Sequence, residues 1–306
     1  MRAPVLTDTD LAGDLARVVG LSIDAVRDAL RAQAAGHLVA PPRWVLDVGP
    51  GRLVFTVGAE TARSRTAGFR VYDVYPSRGS DHAQVVAVFD SDDGRLRGLV
   101  VGDLLGVLRT AAIGAVAIDS LSRPDATVLG VVGTGLQARH HLLAAGAVRD
   151  FSQAVVHSRD PTRRIRFAEE MTRRSGVEVV AVDTPETVAQ AADVVILATD
   201  SRTPVVASDA FEPGTHVTTI GPKFADAHEL SPDVAEVASV VVTDSLAQVD
   251  AYQRPFFVDV PMVELADVVS GRRRGRTNRD DVTLFCSVGL AGTEVVVADR
   301  LLRALT

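Results

Sequence analysis

The stretch Thr127-Val128-Leu129-Gly130-Val131-Val132-Gly133-Thr134-Gly135-Leu136-Gln137-Ala138 decides the fold of this chain. Residues 127–132 are a short apolar run of the kind a fully buried strand carries. The next six residues read G-x-G-x-x-A and open a helix. Gly133 permits a tight turn, Gly135 lets a pyrophosphate approach the backbone, and Ala138 lets helix and strand pack closely. The helix N-terminus adds unpaired N–H groups and the positive end of a dipole. Gly133, Thr134, Gly135, Leu136 and Gln137 are therefore candidate dinucleotide-binding residues.

Downstream, strand and helix alternate. Strands are expected at Ala154–His157, Val177–Val182, Asp193–Ala198, His216–Ile220 and Ser239–Thr243, and Pro161 opens a basic helix that ends near Gly176. This rhythm implies an α/β fold, a parallel sheet with helices on both faces. Upstream the pattern differs. Residues 5–36 read as helical, with Ser22 as a cap and Gly36 as the stop. Residues 43–101 hold short β-branched and aromatic runs punctuated by Gly and Asp, as at Asp92-Asp93-Gly94. Residues 103–121 are Ala-rich and helical, and residues 290–305 are helical again.

Composition narrows the function. The chain has 306 residues, 47 % hydrophobic and 23 % charged, which suits a globular protein of about two domains. Cys286 is the only cysteine, so an internal disulfide framework and a cysteine-cluster zinc site are excluded. No histidines stand at metal-ligand spacing and there is no H-E-x-x-H, so no metal is expected. No apolar run approaches the ~18 residues of a membrane helix, and MRAPVLTDTD lacks a signal-peptide pattern. A cytoplasmic location without membrane partners is the expectation. Net charge is −7 and the sequence pI about 5.5, which argues against nucleic acid as the main partner. The basic run 272–279 reads as a solvated turn.

The second strand of the βαβ unit ends His157-Ser158-Arg159-Asp160. An NAD site places an acid there to hold the ribose 2′-OH. Here Ser158 and Arg159 stand instead, Arg163 and Arg164 follow one turn later, and Arg159 suits a 2′-phosphate. NADPH is favoured over NADH. In the other reading Asp160 supplies the acid with the register shifted. Of 32 basic residues, Lys223 is the single lysine and the other 31 are arginine. Lysine loses its proton near neutral pH when buried, which arginine does not do.

Several spaced motifs resemble the ornithine cyclodeaminase/mu-crystallin family. They are Pro42-Arg43-Trp44, Leu108-Arg109-Thr110-Ala111-Ala112, the glycine motif itself, Gly221 followed by Glu229-Leu230, and Thr283-Leu284-Phe285-Cys286-Ser287-Val288-Gly289. The resemblance implies a Rossmann NAD(P)-binding domain at 123–282. It also implies an α+β substrate-binding and dimerisation domain built from 1–122 with 283–306, and a homodimer. Arg43 and Arg109 fall on family arginines that bind a substrate carboxylate. Arg70, in Gly68-Phe69-Arg70, stands where the family has a lysine, which makes it a substrate-binding and catalytic candidate. Thr110, Thr199, Gly221 and Ser287 fall near the cofactor.

Cyclodeaminases carry Gly-x-Asp-x-Pro-Gly-Lys-x-Glu-Leu, with the Asp acting at the substrate amine. This chain reads Gly221-Pro222-Lys223-Phe224-Ala225-Asp226-Ala227-His228-Glu229-Leu230. Lys223 replaces the Asp, and a lysine there repels ornithine's amines. It suits reduction of a C=N bond, in which nitrogen receives a proton from a general acid; the other readings of Lys223 are a ligand for a substrate carboxylate or cofactor phosphate, and a loop lysine pointing to water. The expected activity is an NADPH-dependent oxidoreductase that reduces the C=N bond of a small α-imino acid, as ketimine reductases do. The alternatives are an amino-acid dehydrogenase or ornithine cyclodeaminase-type enzyme, and a non-catalytic NADPH-binding, crystallin-like protein. His228 is read as a proton relay or a structural hydrogen-bonder, Asp226 as a residue that orients Lys223 or His228 or else as a turn residue, Cys286 as a buried small hydrophobe, and Glu294 as a helix-start acid.

Overall fold

The computed structural model describes residues 3–78, 84–257 and 259–306. It contains two compact units, Met1–Ala112 with Gly289–Thr306, and Ile113–Val288. The first unit carries strands β1 (Val5–Thr7), β2 (Leu38–Val39), β3 (Trp44–Asp47), β4 (Arg52–Glu60), β5 (Thr66–Val74), β6 (Gln84–Asp90) and β7 (Leu96–Val101). They form one sheet in the order β1-β7-β6-β5-β4-β2, with β3 paired to β4. All pairs are antiparallel except β1 with β7.

The two faces of this sheet differ. The helix Thr293–Leu305 lies on one face, where glycines make room for it. A Cβ added at Gly68 would sit 3.2 Å from Val295 Cγ1, and one at Gly98 would sit 2.7 Å from Leu302 Cδ2. Strand alternation puts Thr56 and Arg70, which are cross-strand partners, on the covered side. Their neighbours Val57 and Phe69, also partners, are exposed on the other side at 48 % and 36 %.

At the N-terminus the sequence reading needs correction. The long helix is Leu15–Ala34, and Asp14 caps it by accepting from Arg17 N at 3.2 Å. Ser22 is no cap. It is buried mid-helix and donates to Val18 O at 2.7 Å. Residues 5–7, expected as helix, form β1 along β7.

The second unit carries β8 (Val128–Val132), β9 (Gln153–His157), β10 (Glu178–Ala181), β11 (Val194–Leu197), β12 (His216–Thr219), β13 (Lys223–Phe224), β14 (Ala227–His228), β15 (Val240–Thr243), β16 (Val263–Glu264) and β17 (Thr283–Cys286). Eight of these form a parallel sheet in the order β10-β9-β8-β11-β12-β17-β15-β16. The helices Leu136–Gly146, Pro161–Ser175 and Pro185–Ala191 belong to its βαβ units. β8 pairs with β9 on one side and β11 on the other, so the strand order reverses at β8. That is the switch point where such sheets bind ligands. The architecture is α/β with a Rossmann-like sheet. The units divide at 112/113 and 288/289, whereas the sequence reading divides at 122/123 and 282/283. Thr283–Cys286 lies between β12 and β15 in the parallel sheet, so it belongs to the second unit.

Helix Leu104–Leu121 has a mean hydropathy of 1.6, enough by length and composition to cross a membrane, yet 78 % of it is buried within the structure. It is a core helix whose residues run across the boundary between the units. The basic run is also more than a solvated turn. Arg276 donates to Leu121 O at 2.9 Å and Gly214 O at 3.0 Å.

Two buried histidines make this fold sensitive to acid. His216 is fully buried between Thr283 Oγ1 (2.9 Å) and Thr218 Oγ1 (3.0 Å), and burial, reinforced by Arg276, pushes its pKa down to about 3. Burial lowers His141 to about 4. The unfolded chain protonates these imidazoles near 6.5, so their contribution is complete above that pH. It falls by about 2 kcal/mol per histidine between pH 6.5 and 5. Urea midpoints at pH 7 and 5 check this. Burial also lowers His140, so His216→Asn is expected to make the slope shallower without abolishing it, and an equal slope in that variant would refute the assignment.

Candidate active site

The glycine motif follows β8. Gly133 has φ +117° and donates its N–H to His157 O at 2.9 Å. A Cβ added there would collide with Ala198 O, so only glycine fits. Gly135 is the N-cap of helix Leu136–Gly146, and a Cβ added to it would meet nothing within 4 Å. Open space thus lies before the helix N-terminus, as a pyrophosphate requires. Arg139 Nη1 turns back to Thr134 O (2.5 Å) and Gly135 O (3.2 Å), while Glu170 holds its Nη2 at 3.0 Å. Beside this turn Gln137 Oε1 is buried and lacks a hydrogen-bond partner. The residues present fit a dinucleotide.

At the end of β9, Asp160 caps the helix Pro161–Ser175 by accepting from Thr162 N (2.9 Å) and Arg163 N (3.1 Å). Its carboxylate is engaged by the backbone. Ser158 donates to Asp160 O at 3.2 Å. Arg159 is exposed and has no ion pair among the described residues. Arg163 is exposed, 3.5 Å from Asp160. Arg164 is committed elsewhere, to Asp183 and to Ser158 O (3.3 Å).

A second cluster lies beyond β11 and β12. Glu229, with no solvent exposure, accepts five hydrogen bonds. Its Oε2 takes Thr199 N and Oγ1, both at 2.7 Å. Its Oε1 takes Thr219 Oγ1 (2.8 Å), Ile220 N (3.0 Å) and Gly221 N (2.6 Å). One side chain therefore fastens both strand-end loops. Gly221 is required by crowding, because an added Cβ would lie 2.5 Å from Thr199 O and 2.6 Å from Glu229 Cδ.

Lys223 is buried, 6 % exposed, at the start of the β13–β14 hairpin. Its Nζ donates to Gly221 O at 2.8 Å. His228 has Nδ1 3.1 Å from Phe224 O and its ring against Phe256. Asp226 does not orient Lys223 or His228. Its carboxylate is 3.3 Å from Arg254 Nη1 and 3.9 Å from Arg202 Nη2. Cys286 is buried, and burial pushes its thiol up to about 12. Ser287 donates its N–H to Thr219 O at 3.2 Å.

The third cluster lies wholly in the first unit. Arg109, 5 % exposed, donates Nη2 to Glu294 Oε1 at 2.6 Å. Its Nε and Nη1 are buried and have no hydrogen-bond partner. Arg70 donates Nη1 to the same Glu294 oxygen at 3.3 Å, and Nε and Nη2 to Gln84 Oε1 at 2.9 and 2.5 Å. Gln84 in turn donates to Asp103 at 2.9 Å. Arg70 also stacks on Tyr72, 4.3 Å from the ring centroid. Burial lowers the Arg70 pKa, Glu294 opposes that, and Arg109 adds to it. A Cβ added at Gly289 (φ +87°) would lie 3.2 Å from Arg109 Nη1 and 3.3 Å from Arg43 Nη2, so both guanidinium groups converge there. Such a fork suits a carboxylate. On the same helix as Arg109, Thr110 spends its hydroxyl hydrogen on Gly106 O at 2.8 Å.

Glu294 corrects the sequence reading. It does stand in the first turn of Thr293–Leu305, but it is 1 % exposed and pairs two arginines. Burial raises its pKa, yet Arg109, then Arg70 and Arg43, outweigh that and hold it below the usual carboxylate range. The signal was an acid among buried-type residues, Gly292-Thr293-Glu294-Val295-Val296-Val297. Gln84 and the hub role of Glu229 were likewise missed. Among the described residues, no group of three or more His, Cys, Asp or Glu side chains is placed to hold a metal ion.

The profile of the ornithine cyclodeaminase/mu-crystallin family matches residues 5–303. An uncharacterised cyclodeaminase of Sinorhizobium fredii is 30 % identical over 307 residues, covering 94 % of this chain and 92 % of that one. The Delta(1)-pyrroline-2-carboxylate reductase of Bacillus cereus is 31 % identical over 226 residues, covering 71 % and 69 %. Among solved structures, that of Thermococcus litoralis Delta(1)-pyrroline-2-carboxylate reductase with NADH and L-proline has a TM-score of 0.86 at 27 % identity. It covers 98 % of this chain and 96 % of that one. With a profile match over nearly its whole length and a 30 % identical relative, this chain belongs to the ornithine cyclodeaminase/mu-crystallin family.

Proposed function

We propose that the protein is a nicotinamide-dependent oxidoreductase that reduces the C=N bond of a small α-imino acid, with NADPH as the reductant. The observation that carries this is the pair of orphaned donors on buried Arg109, converging with Arg43 at Gly289. Buried donors without partners are costly and await an acceptor. The reductase relatives and the L-proline complex of one of them support a cyclic five-membered imino acid.

The chain's own residues divide the work. Arg109 and Arg43 hold the carboxylate, and Arg70 supports them with its fork largely committed to Gln84 and Glu294. Lys223, held by Gly221 O, delivers a proton to the imine nitrogen as that nitrogen becomes an amine. The reduced nicotinamide, when bound, supplies the hydride to the imine carbon. Gly133, Thr134, Gly135, Leu136 and Gln137 would cradle its pyrophosphate, and Thr199, Gly221 and Ser287, on the same unit, would face its nicotinamide half. The cyclodeaminase reading is disfavoured by Lys223 in place of an acid. The test is NADPH oxidation at 340 nm with Δ1-pyrroline-2-carboxylate. Ornithine converted with no net absorbance change would instead establish a cyclodeaminase, and tight NADPH binding without turnover of either substrate a binding protein.

The cofactor preference rests on Ser158, Arg159 and Arg163, with Asp160 taken up as a cap. A charge-assisted hydrogen bond contributes about 1.5–3 kcal/mol, or about 10–150-fold in affinity. Arg159→Ala is therefore expected to raise the KM for NADPH by about tenfold or more and to leave that for NADH nearly unchanged. Equal effects on both cofactors, or a wild-type preference for NADH, would overturn this reading.

The uncovered sheet face presents Trp44, Val57 and Phe69, with Phe55 tilted against Trp44 at 5.2 Å between centroids. An apolar face of this kind marks an interaction surface. Its proposed occupant is a second copy of the chain. Sedimentation should give the mass of a dimer, and Phe69→Asp should give a monomer.

A further inference from the structure

We infer that Glu294 is the positioning residue of the arginine cluster, holding Arg109 so that its remaining N–H groups face the substrate carboxylate. This rests on the reading of that cluster as a carboxylate site. Arg109 Nη2 spends one N–H on Glu294 Oε1 at 2.6 Å, while Nε and Nη1 stay buried and unpaired. The Nη1 side is the one that meets Arg43 at Gly289. Glu294 also takes Arg70 Nη1 at 3.3 Å, so one carboxylate fixes the angle between two forks that would otherwise repel. It is fixed itself, in the first turn of a helix whose residues Thr293–Asp299 are all buried. Sequence position alone makes it a helix-start acid, but a residue serving only the dipole has no need of two guanidinium partners.

Positioning and plain charge give opposite signs. Glu294 is an anion beside an anion site, so by charge alone its removal strengthens carboxylate binding. By positioning, its removal lets Arg109 swing and weakens binding. Glu294→Gln keeps an oxygen acceptor for Arg109 Nη2, whereas Glu294→Ala keeps none.

The experiment is calorimetric titration of the full-length protein, saturated with whichever nicotinamide cofactor binds more tightly. The probe is pyrrole-2-carboxylate, a planar carboxylate that cannot be reduced. The KM and kcat for Δ1-pyrroline-2-carboxylate are measured in parallel. The expected result is a Kd and KM at least tenfold higher in Glu294→Ala, within about threefold of wild type in Glu294→Gln, with kcat and cofactor affinity little changed. Tighter binding in both variants, or a loss of folded protein with unchanged Kd and KM, overturns the inference. If Glu294→Ala does not fold, Glu294→Asp decides. It keeps the charge but shortens the reach, so weaker probe binding supports positioning and unchanged binding refutes it. A wild type that binds the probe yet oxidises no cofactor with the imine would refute the reductase reading and leave the positioning role intact. A wild type that does not bind the probe refutes the positioning role.

Discussion

Lys223→Ala is expected to lower kcat for imine reduction by about 10²–10⁴-fold, the usual worth of a positioned general acid, while the Kd for NADPH stays within about threefold. Lys223 is singular in composition and is buried. It is the single lysine of the chain, 6 % exposed, with its Nζ held 2.8 Å from Gly221 O. A loop lysine with no task would extend into water, because burying an ammonium is costly unless it is partnered. Hydride addition to an imine leaves a nitrogen that must gain a proton, and an ammonium is a source of one. Lys223→Met keeps most of the packing volume and removes the proton, so it is expected to behave like Lys223→Ala. Lys223→Arg keeps the charge but not the acidity, and is expected to recover little of the rate. Rates are read at saturating substrate and cofactor, with binding measured separately. A Lys223→Arg variant with wild-type kcat would show that position 223 only contributes charge. A raised KM at unchanged kcat in Lys223→Met would make it a binding residue.

The turn of the glycine motif was legible because Gly133 answers a local steric demand. Gly133 needs φ +117° and has Ala198 O where a Cβ would go. Arg43 and Arg109 were legible only through the order of motifs, since spacing cannot distinguish a buried guanidinium from a surface one. Their convergence on Gly289 depends on residues far apart in the chain. Glu294 was misread because a helix-start acid has a sufficient local explanation, and its pairing with Arg109 spans 185 positions. Ser22 was misread for the related reason that a serine among apolar residues satisfies itself on the preceding turn as well as at a cap. A four-residue apolar run such as Thr283–Cys286 says that it is buried, but its place between β12 and β15 is set by which edges remain to be paired.

Glu229 carries the second large effect, and on a different quantity. Five donors end on its two oxygens, three of them backbone N–H groups with no freedom to turn elsewhere. In Glu229→Gln one oxygen becomes an NH2 group that faces donors. At about 1.5–3 kcal/mol for each hydrogen bond to a charged group, with part recovered by the Thr199 and Thr219 hydroxyls turning, the expected destabilisation is about 3 kcal/mol or more. In a unit of this size that corresponds to a fall in Tm of roughly 6–12 °C. Glu229→Ala is expected to lose more, because it leaves all five donors unpaired and a buried void. Both variants also free the Thr199 and Gly221 loops, and Lys223 hangs from Gly221 O. kcat should therefore fall in Glu229→Gln even at temperatures where the variant is fully folded. The loss should be smaller than in Lys223→Met, and little further loss is expected when the two changes are combined, since both act on one proton donor. Thermal denaturation and kinetics on the single and double variants provide the check. A Tm within 2 °C of wild type, or fully additive losses in kcat, would show that Glu229 neither fastens these loops nor acts through Lys223.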